Sequence, residues 1–143
     1  MANTYTQIHI QLIFVVKFRT GIISNSWKDE LYKYITGIVS NKGHKLLIIN
    51  GVKDHVHLLI GLNPSQSLSD LVKDVKASSS KWINQRKFVK TRFEWQSGYG
   101  AFSYSKSQIK KVIKYIENQE VHHKSKSFRE EYTKILDSLE IQY

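Results

Sequence analysis

From Ile8 to Val16 every second residue is apolar: Ile8, Ile10, Leu12, Phe14 and Val16, set against Gln7, His9 and Gln11 for most of that length. A period of two sends alternate side chains to opposite sides of an extended backbone, so Tyr5 to Val16 predicts a half-buried strand. Such a strand needs a sheet beside it and a layer over its apolar side, and the remaining sequence supplies both.

Ser26 starts a helix that carries Trp27, Leu31, Tyr34, Ile35 and Ile38 on one side and ends at Gly43. Residues 45–50 and 55–62 predict two strands joined by a short turn around Gly51 to Asp54, hence a hairpin. Asn63 and Pro64 stop the second strand, and Ser67 opens a long helix with Leu68, Leu71, Val72, Val75, Ser79 and Trp82 along one side. A basic stretch from Arg86 to Arg92 leads to a fourth strand at Phe93 to Gln96, followed by the Gly-rich, aromatic segment Gly98 to Ser105. Ser105 and Gln108 form a capping box for a helix through His123, and Phe128, Tyr132, Ile135 and Leu139 mark another short helix. The order strand, helix, strand, strand, helix, strand predicts an α+β, ferredoxin-like split βαβ domain with an antiparallel sheet, extended by C-terminal helix and spanning residues 1–143. Many activities use that layout, so function has to come from a site.

Composition narrows the chemistry. There are no cysteines, which excludes cysteine-based zinc sites, thiol nucleophiles and disulfide frameworks, and leaves any metal to His, carboxylate or amide ligands. Neither a secretory leader nor an apolar run of the roughly 18 residues needed for a membrane span is visible, so a cytoplasmic protein is expected, with no membrane partner. Lysine and arginine number 22 against 12 acids, for a formal charge of +10. Such an excess serves solubility or a polyanionic partner, and the mixture of Lys81, Trp82, Arg86, Lys87, Phe88, Arg92, Phe93 and Trp95 suits both phosphate contact and core packing.

His55 and His57 are one residue apart on a predicted strand, so both imidazoles leave one side while Val56, Leu58, Ile60 and Leu62 leave the other. Alone, the pair fits a shared divalent ion or two merely exposed, hydrogen-bonded rings. The residues that follow, Leu58, Leu59 and Ile60, argue against a zinc hydrolase. On the last long helix Tyr115, Gln119 and His122 share a side, next to the apolar stripe Ile109, Val112, Ile113 and Ile116.

Four separated motifs carry a resemblance over nearly the whole chain: Asp54-His55-Val56-His57-Leu58-Leu59, the run Val75 to Asn84, Trp95-Gln96-Ser97-Gly98-Tyr99-Gly100-Ala101-Phe102, and Tyr115-Ile116-Glu117-Asn118-Gln119. Together they resemble the single-tyrosine HUH transposases of bacterial insertion sequences. Lys53 stands before Asp54 where relatives often have proline.

The resemblance implies a metal-dependent DNA strand transferase. Tyr115 is its expected nucleophile, on the C-terminal helix, and His55, His57 and Gln119 are the expected ligands of Mg²⁺ or Mn²⁺. It implies single-stranded DNA with hairpin ends as partner, a 5′-phosphotyrosine intermediate, and a homodimer in which the tyrosine helix of one subunit completes the histidine site of the other. The same layout nominates Lys76, Lys81, Arg86, Lys87 and Arg92 for phosphate contact, with Trp82, Tyr99 and Phe102 either stacking or packing. His122 reads as a helix-end histidine or a proton-transfer aid. Tyr104 precedes the helix and Tyr132 has Leu136 one turn on, so both rank below Tyr115 as nucleophiles. The alternatives are a non-catalytic ferredoxin-like nucleic-acid-binding protein, a domesticated relative, or a simple endonuclease.

Overall fold

The structure, a computed structural model, describes residues 4–124 and 126–142. Strand β1 (His9–Val15) leads to α1 (Lys28–Asn41), the hairpin β2 (Lys45–Val52) and β3 (His55–Gly61), then α2 (Leu68–Arg86) and β4 (Gly100–Tyr104). Three helices follow: α3 (Ile109–Glu117), the single turn α4 (Gln119–His122) and α5 (Phe128–Ser138). The sheet runs β2-β3-β1-β4 with every neighbour antiparallel, which is the ferredoxin-like arrangement expected.

Both sides of this sheet are covered. Leu12, Phe14, Val56, Leu58 and Ile60 pack with Leu31, Ile35 and Val39 of α1 and Leu71, Val72 and Val75 of α2 in the larger core. On the opposite side Ile13, Val15 and Phe102 meet Phe128 and Leu136 of α5, while Leu59 meets Val112 and Ile116 of α3. Thus the apolar set of β1 is only half of its buried surface, because Ile13 and Val15 lie under the last helix. Among the described residues no helix is long and apolar enough to cross a membrane.

Two expected boundaries are corrected. Phe93 to Gln96 is not the fourth strand: it makes a single bridge, Val16 to Trp95, at the end of β1. Phe93 and Trp95 do alternate into the larger core, but the Asn84 side chain holds both backbone groups of Phe93 at the end of α2, at 2.7 and 3.0 Å. Gly98, at φ 81°, turns the chain, and the ladder with β1 begins at Gly100. The second correction is the helix expected through His123, which breaks at Asn118. There the Asn50 side-chain amide donates to the carbonyls of Ile116 and Glu117, both at 3.0 Å, and so satisfies the end of α3 from strand β2. The Ser105 and Gln108 capping box is present, at a 3₁₀ turn just before α3.

Candidate active site: paired histidines beneath a tyrosine helix

The β2–β3 hairpin turns through Lys53 and Asp54 and pairs Val52 with His55. Its tightness depends on Gly51, where an added Cβ would lie 2.2 Å from the His55 carbonyl oxygen. His55 and His57 leave β3 on the side covered by α3, α4 and α5, and both are fully buried. They sit away from the larger core, as their spacing predicts, but not in solvent.

Each imidazole is held from behind. Nδ1 of His55 lies 2.7 Å from Asp54 Oδ1, so it donates to the carboxylate and turns Nε2 inward. His57 Nδ1 lies 2.9 Å from Gln11 Nε2, and Gln11 Oε1 in turn accepts from the Tyr104 hydroxyl at 2.8 Å. Gln11 is the polar member of the β1 alternation, and Tyr104 serves here as the outer end of a positioning chain.

The inner nitrogens meet one carboxylate. Glu131 Oε1 lies 3.1 Å from Nε2 of both His55 and His57 and 2.9 Å from Nε2 of His123. Glu131 Oε2 accepts from the Tyr115 hydroxyl, and from Gln119 Nε2 at 2.9 Å. Gln119 Oε1 is 3.3 Å from His55 Nε2. His122 stacks on the Tyr115 ring, with centroids 4.5 Å apart, so it is neither free nor merely terminal. Sequence reading missed Glu131 and His123 as members of this cluster. The available signal for Glu131 was its place on the apolar stripe of α5, three residues after Phe128 and four before Ile135.

The charges are mutually dependent. Burial alone would raise the Glu131 pKa, but hydrogen bonds from His55 and His57 hold it well below the ordinary carboxylate range. Burial opposes protonation of His55, yet its bonds to Asp54 and Glu131 win and its pKa is raised; for His57 burial prevails and the pKa is lowered. Burial, then the neighbouring Glu131 carboxylate, push the Tyr115 phenol above its usual value.

His55, His57 and Glu131 offer ligand atoms that all lie within 4.8 Å of one another, so this cluster can hold a metal ion. The donors fit: two imidazole nitrogens and a carboxylate, with the Gln119 amide oxygen beside them, form the mixed nitrogen and oxygen set that a divalent ion accepts. All of these groups belong to one chain. Beside them lies a cleft of about 350 Å³ lined by Tyr115 and Glu131 together with Lys126 and Lys134.

The nominated phosphate contacts lie elsewhere. Lys76, Lys81 and Arg86 stand on α2, whose packing is against the other side of the sheet. Lys76 is committed to the fold, donating to the carbonyls of Gln96, at 2.8 Å, and Gly98. Arg86 sits over Trp82 and Phe88 and 3.6 Å from Glu30; Arg92 lies 3.6 Å from Glu94. Lys87 is the left-handed cap of α2, and Lys81 is exposed. Trp82 stacks on Tyr34 at 4.6 Å and Phe102 is buried, so both pack; Tyr99 stays 40% exposed.

An open antiparallel sheet here presents two histidines of one strand to a tyrosine on a covering helix. Residues 4–119 match the family described as Transposase IS200 like, and the chain belongs to that family. It is 29% identical over 122 residues, 79% of this chain and 84% of the relative, to the ISDra2 transposase TnpA of Deinococcus radiodurans. A crystal structure of a D. radiodurans R1 protein assigned as a transposase superimposes with a TM-score of 0.68 at 24% identity, covering 83% of this chain and 95% of that one. A REP-associated tyrosine transposase, solved bound to a REP hairpin, gives a TM-score of 0.65 at 13% identity over 86% and 73% of the two chains. The fold is therefore that of transposases, and DNA transposition is the process the family serves. Helix α5, which brings Glu131, lies beyond the matched residues.

Proposed function

We propose that this transposase cuts and rejoins single-stranded DNA at insertion-sequence ends, with Tyr115 as nucleophile and His55 and His57 as metal ligands. The observation that carries this reading is the convergence of the Tyr115 hydroxyl and both histidine Nε2 atoms on the single Glu131 carboxylate. Gln119 and Glu131 complete the ligand set for Mg²⁺ or Mn²⁺. Such an ion, if bound there, would supply Lewis-acid polarisation of the scissile phosphate.

The chain's own groups do the remainder. Tyr115 Oη bonds to phosphorus as the bond to the departing 3′ oxygen breaks, leaving a 5′-phosphotyrosine and a free 3′-hydroxyl. The phosphoester is conserved in energy, so a second 3′-hydroxyl reverses the step and joins a new strand without ATP. Glu131 Oε2 accepts a hydrogen bond from the Tyr115 hydroxyl and so orients the phenolic oxygen, whose proton ends overall on the departing 3′ oxygen. Asp54 and Gln11 hold the imidazoles in place. Folded hairpin ends are the inferred DNA partner, by analogy with the REP hairpin bound to the structural relative. Tyr115 meets the histidines of its own chain, and a homodimer that exchanges this helix between subunits, the assembly this reading expects, would bring the same side chains together.

The test is denaturing electrophoresis after incubating wild type and Tyr115→Phe with labelled single-stranded element ends and Mn²⁺. A metal-dependent covalent adduct that only the variant lacks is expected. Tight binding without any adduct on authentic ends would favour a non-catalytic DNA-binding protein.

A further inference from the structure

The motif Trp95 to Phe102 has so far no part in the chemistry, yet its middle lines a cleft of about 410 Å³ on the α5 side of the sheet. Tyr99 and Gly100 form one wall, Phe128 and Tyr132 of α5 the other, and Arg19 and Arg129 border it. The volume lies in the range of small-molecule and cofactor sites, large enough for nucleotides and too small for a duplex.

Three observations select the occupant. The walls are aromatic: Phe128 and Tyr132 stack with centroids 5.2 Å apart at 26°, and Tyr99 is 40% exposed. The charge is of one sign, because neither guanidinium makes an ion pair among the described residues and no described acid lines the cleft. The cleft also adjoins the histidines, since the Phe128 ring lies 4.6 Å from that of His55.

Local backbone features maintain this shape. Gly100 admits Tyr132: a Cβ there would come within 2.9 Å of the Tyr132 hydroxyl. Phe18 and Arg19 both hold left-handed backbones, at φ 61° and 54°, an unfavourable conformation for two successive non-glycine residues that turns the chain where Arg19 meets the cleft.

We propose that this cleft holds one or two unpaired nucleotides of the DNA strand next to the scissile phosphate, with bases against Tyr132 and Tyr99 and phosphates on Arg19 and Arg129. The proposal rests on the strand-transfer reading above and adds a path for the strand. Aromatic faces accept any base and guanidinium groups accept phosphate, so the cleft is a sequence-tolerant element.

The test uses the full chain and the oligonucleotide (dT)12, unmodified for binding and with single 5-iodouracil substitutions for photocrosslinking. Crosslinks are expected on peptides containing Tyr99 or Tyr132. The double variant Arg19→Ala, Arg129→Ala should bind (dT)12 about tenfold more weakly at ~0.15 M salt, with a shallower salt dependence by about 1.4 for two lost phosphate contacts. Its thermal midpoint should be that of wild type, because both side chains are exposed. Wild-type affinity and salt slope in the double variant, or crosslinks confined to α1 and α2, would overturn the cleft. Failure of wild type to form the Tyr115 adduct would overturn strand transfer, while the crosslinks would still decide the cleft.

Discussion

The Tyr115 hydroxyl donates to the carboxylate of Glu131, sixteen residues further along the chain. This bond joins the expected nucleophile on α3 to a helix outside the matched family region, and it brings Tyr115 to the same carboxylate that the histidines meet.

Replacing Glu131 by Gln should weaken Mn²⁺ binding by about tenfold in a Tyr115→Phe background, since a neutral amide gives up the charged oxygen between the histidines. Calorimetric titration checks this. Tighter binding in the variant would show that the carboxylate competes with the ion.

The positioning chain predicts a graded series. Ligation through Nε2 requires the His57 proton on Nδ1, where the Gln11 amide accepts it once its Oε1 is turned to the ring; Gln11→Ala removes that acceptor and should lower Mn²⁺ affinity by about 10–100-fold. Tyr104→Phe removes only the outer hydroxyl and should cost less. Equal losses would mean that the chain does not act in that order.

Gly51→Ala should destabilise the protein by about 1–3 kcal/mol and impair metal binding with it, because the new Cβ meets the His55 carbonyl at 2.2 Å. Thermal denaturation and Mn²⁺ titration of the same variant test the two effects together.

Metal-free protein should be acid-labile. The folded Glu131 pKa is depressed, so its contribution is present above the unfolded value of about 4.3 and is lost as pH falls through that value toward the folded one. Lowered His57 acts in the same direction, its contribution fading below about 6.5, whereas raised His55 acts oppositely and loses its contribution as pH rises through its folded pKa. In EDTA, denaturant midpoints of Glu131→Gln should fall less steeply than wild type below about pH 5. Parallel curves would remove Glu131 as the source.

Lys76→Met should lower stability while leaving the salt dependence of DNA binding unchanged, because its ammonium is spent on the carbonyls of Gln96 and Gly98. A shallower salt slope in the variant would return Lys76 to the phosphate contacts.

Much of the fold was readable because its signals are local. The period-two runs of β1 and β3 marked the sheet, and the apolar stripe Ile109, Val112, Ile113 and Ile116 marked the helix of Tyr115, although the chain breaks before Gln119. The fourth strand was misplaced because Phe93 and Trp95 alternate into the core with only the single bridge from Val16 to Trp95, while the Asn84 side chain takes up the backbone groups of Phe93. Glu131 escaped because its role depends on how α5 docks, a contact with Ile13, Val15 and Phe102 that no local period encodes.

The position of Glu131 also sets an order of events during synthesis. A chain that has emerged through Gln119 already holds both histidines, the tyrosine and the glutamine, whereas the carboxylate on which they converge is translated last. Until Phe128 and Leu136 settle on β1 and β4, that side of the sheet lacks the cover of α5, and the histidines lack the carboxylate they meet in the folded chain. Assembly of the centre is therefore a late step in the maturation of the polypeptide.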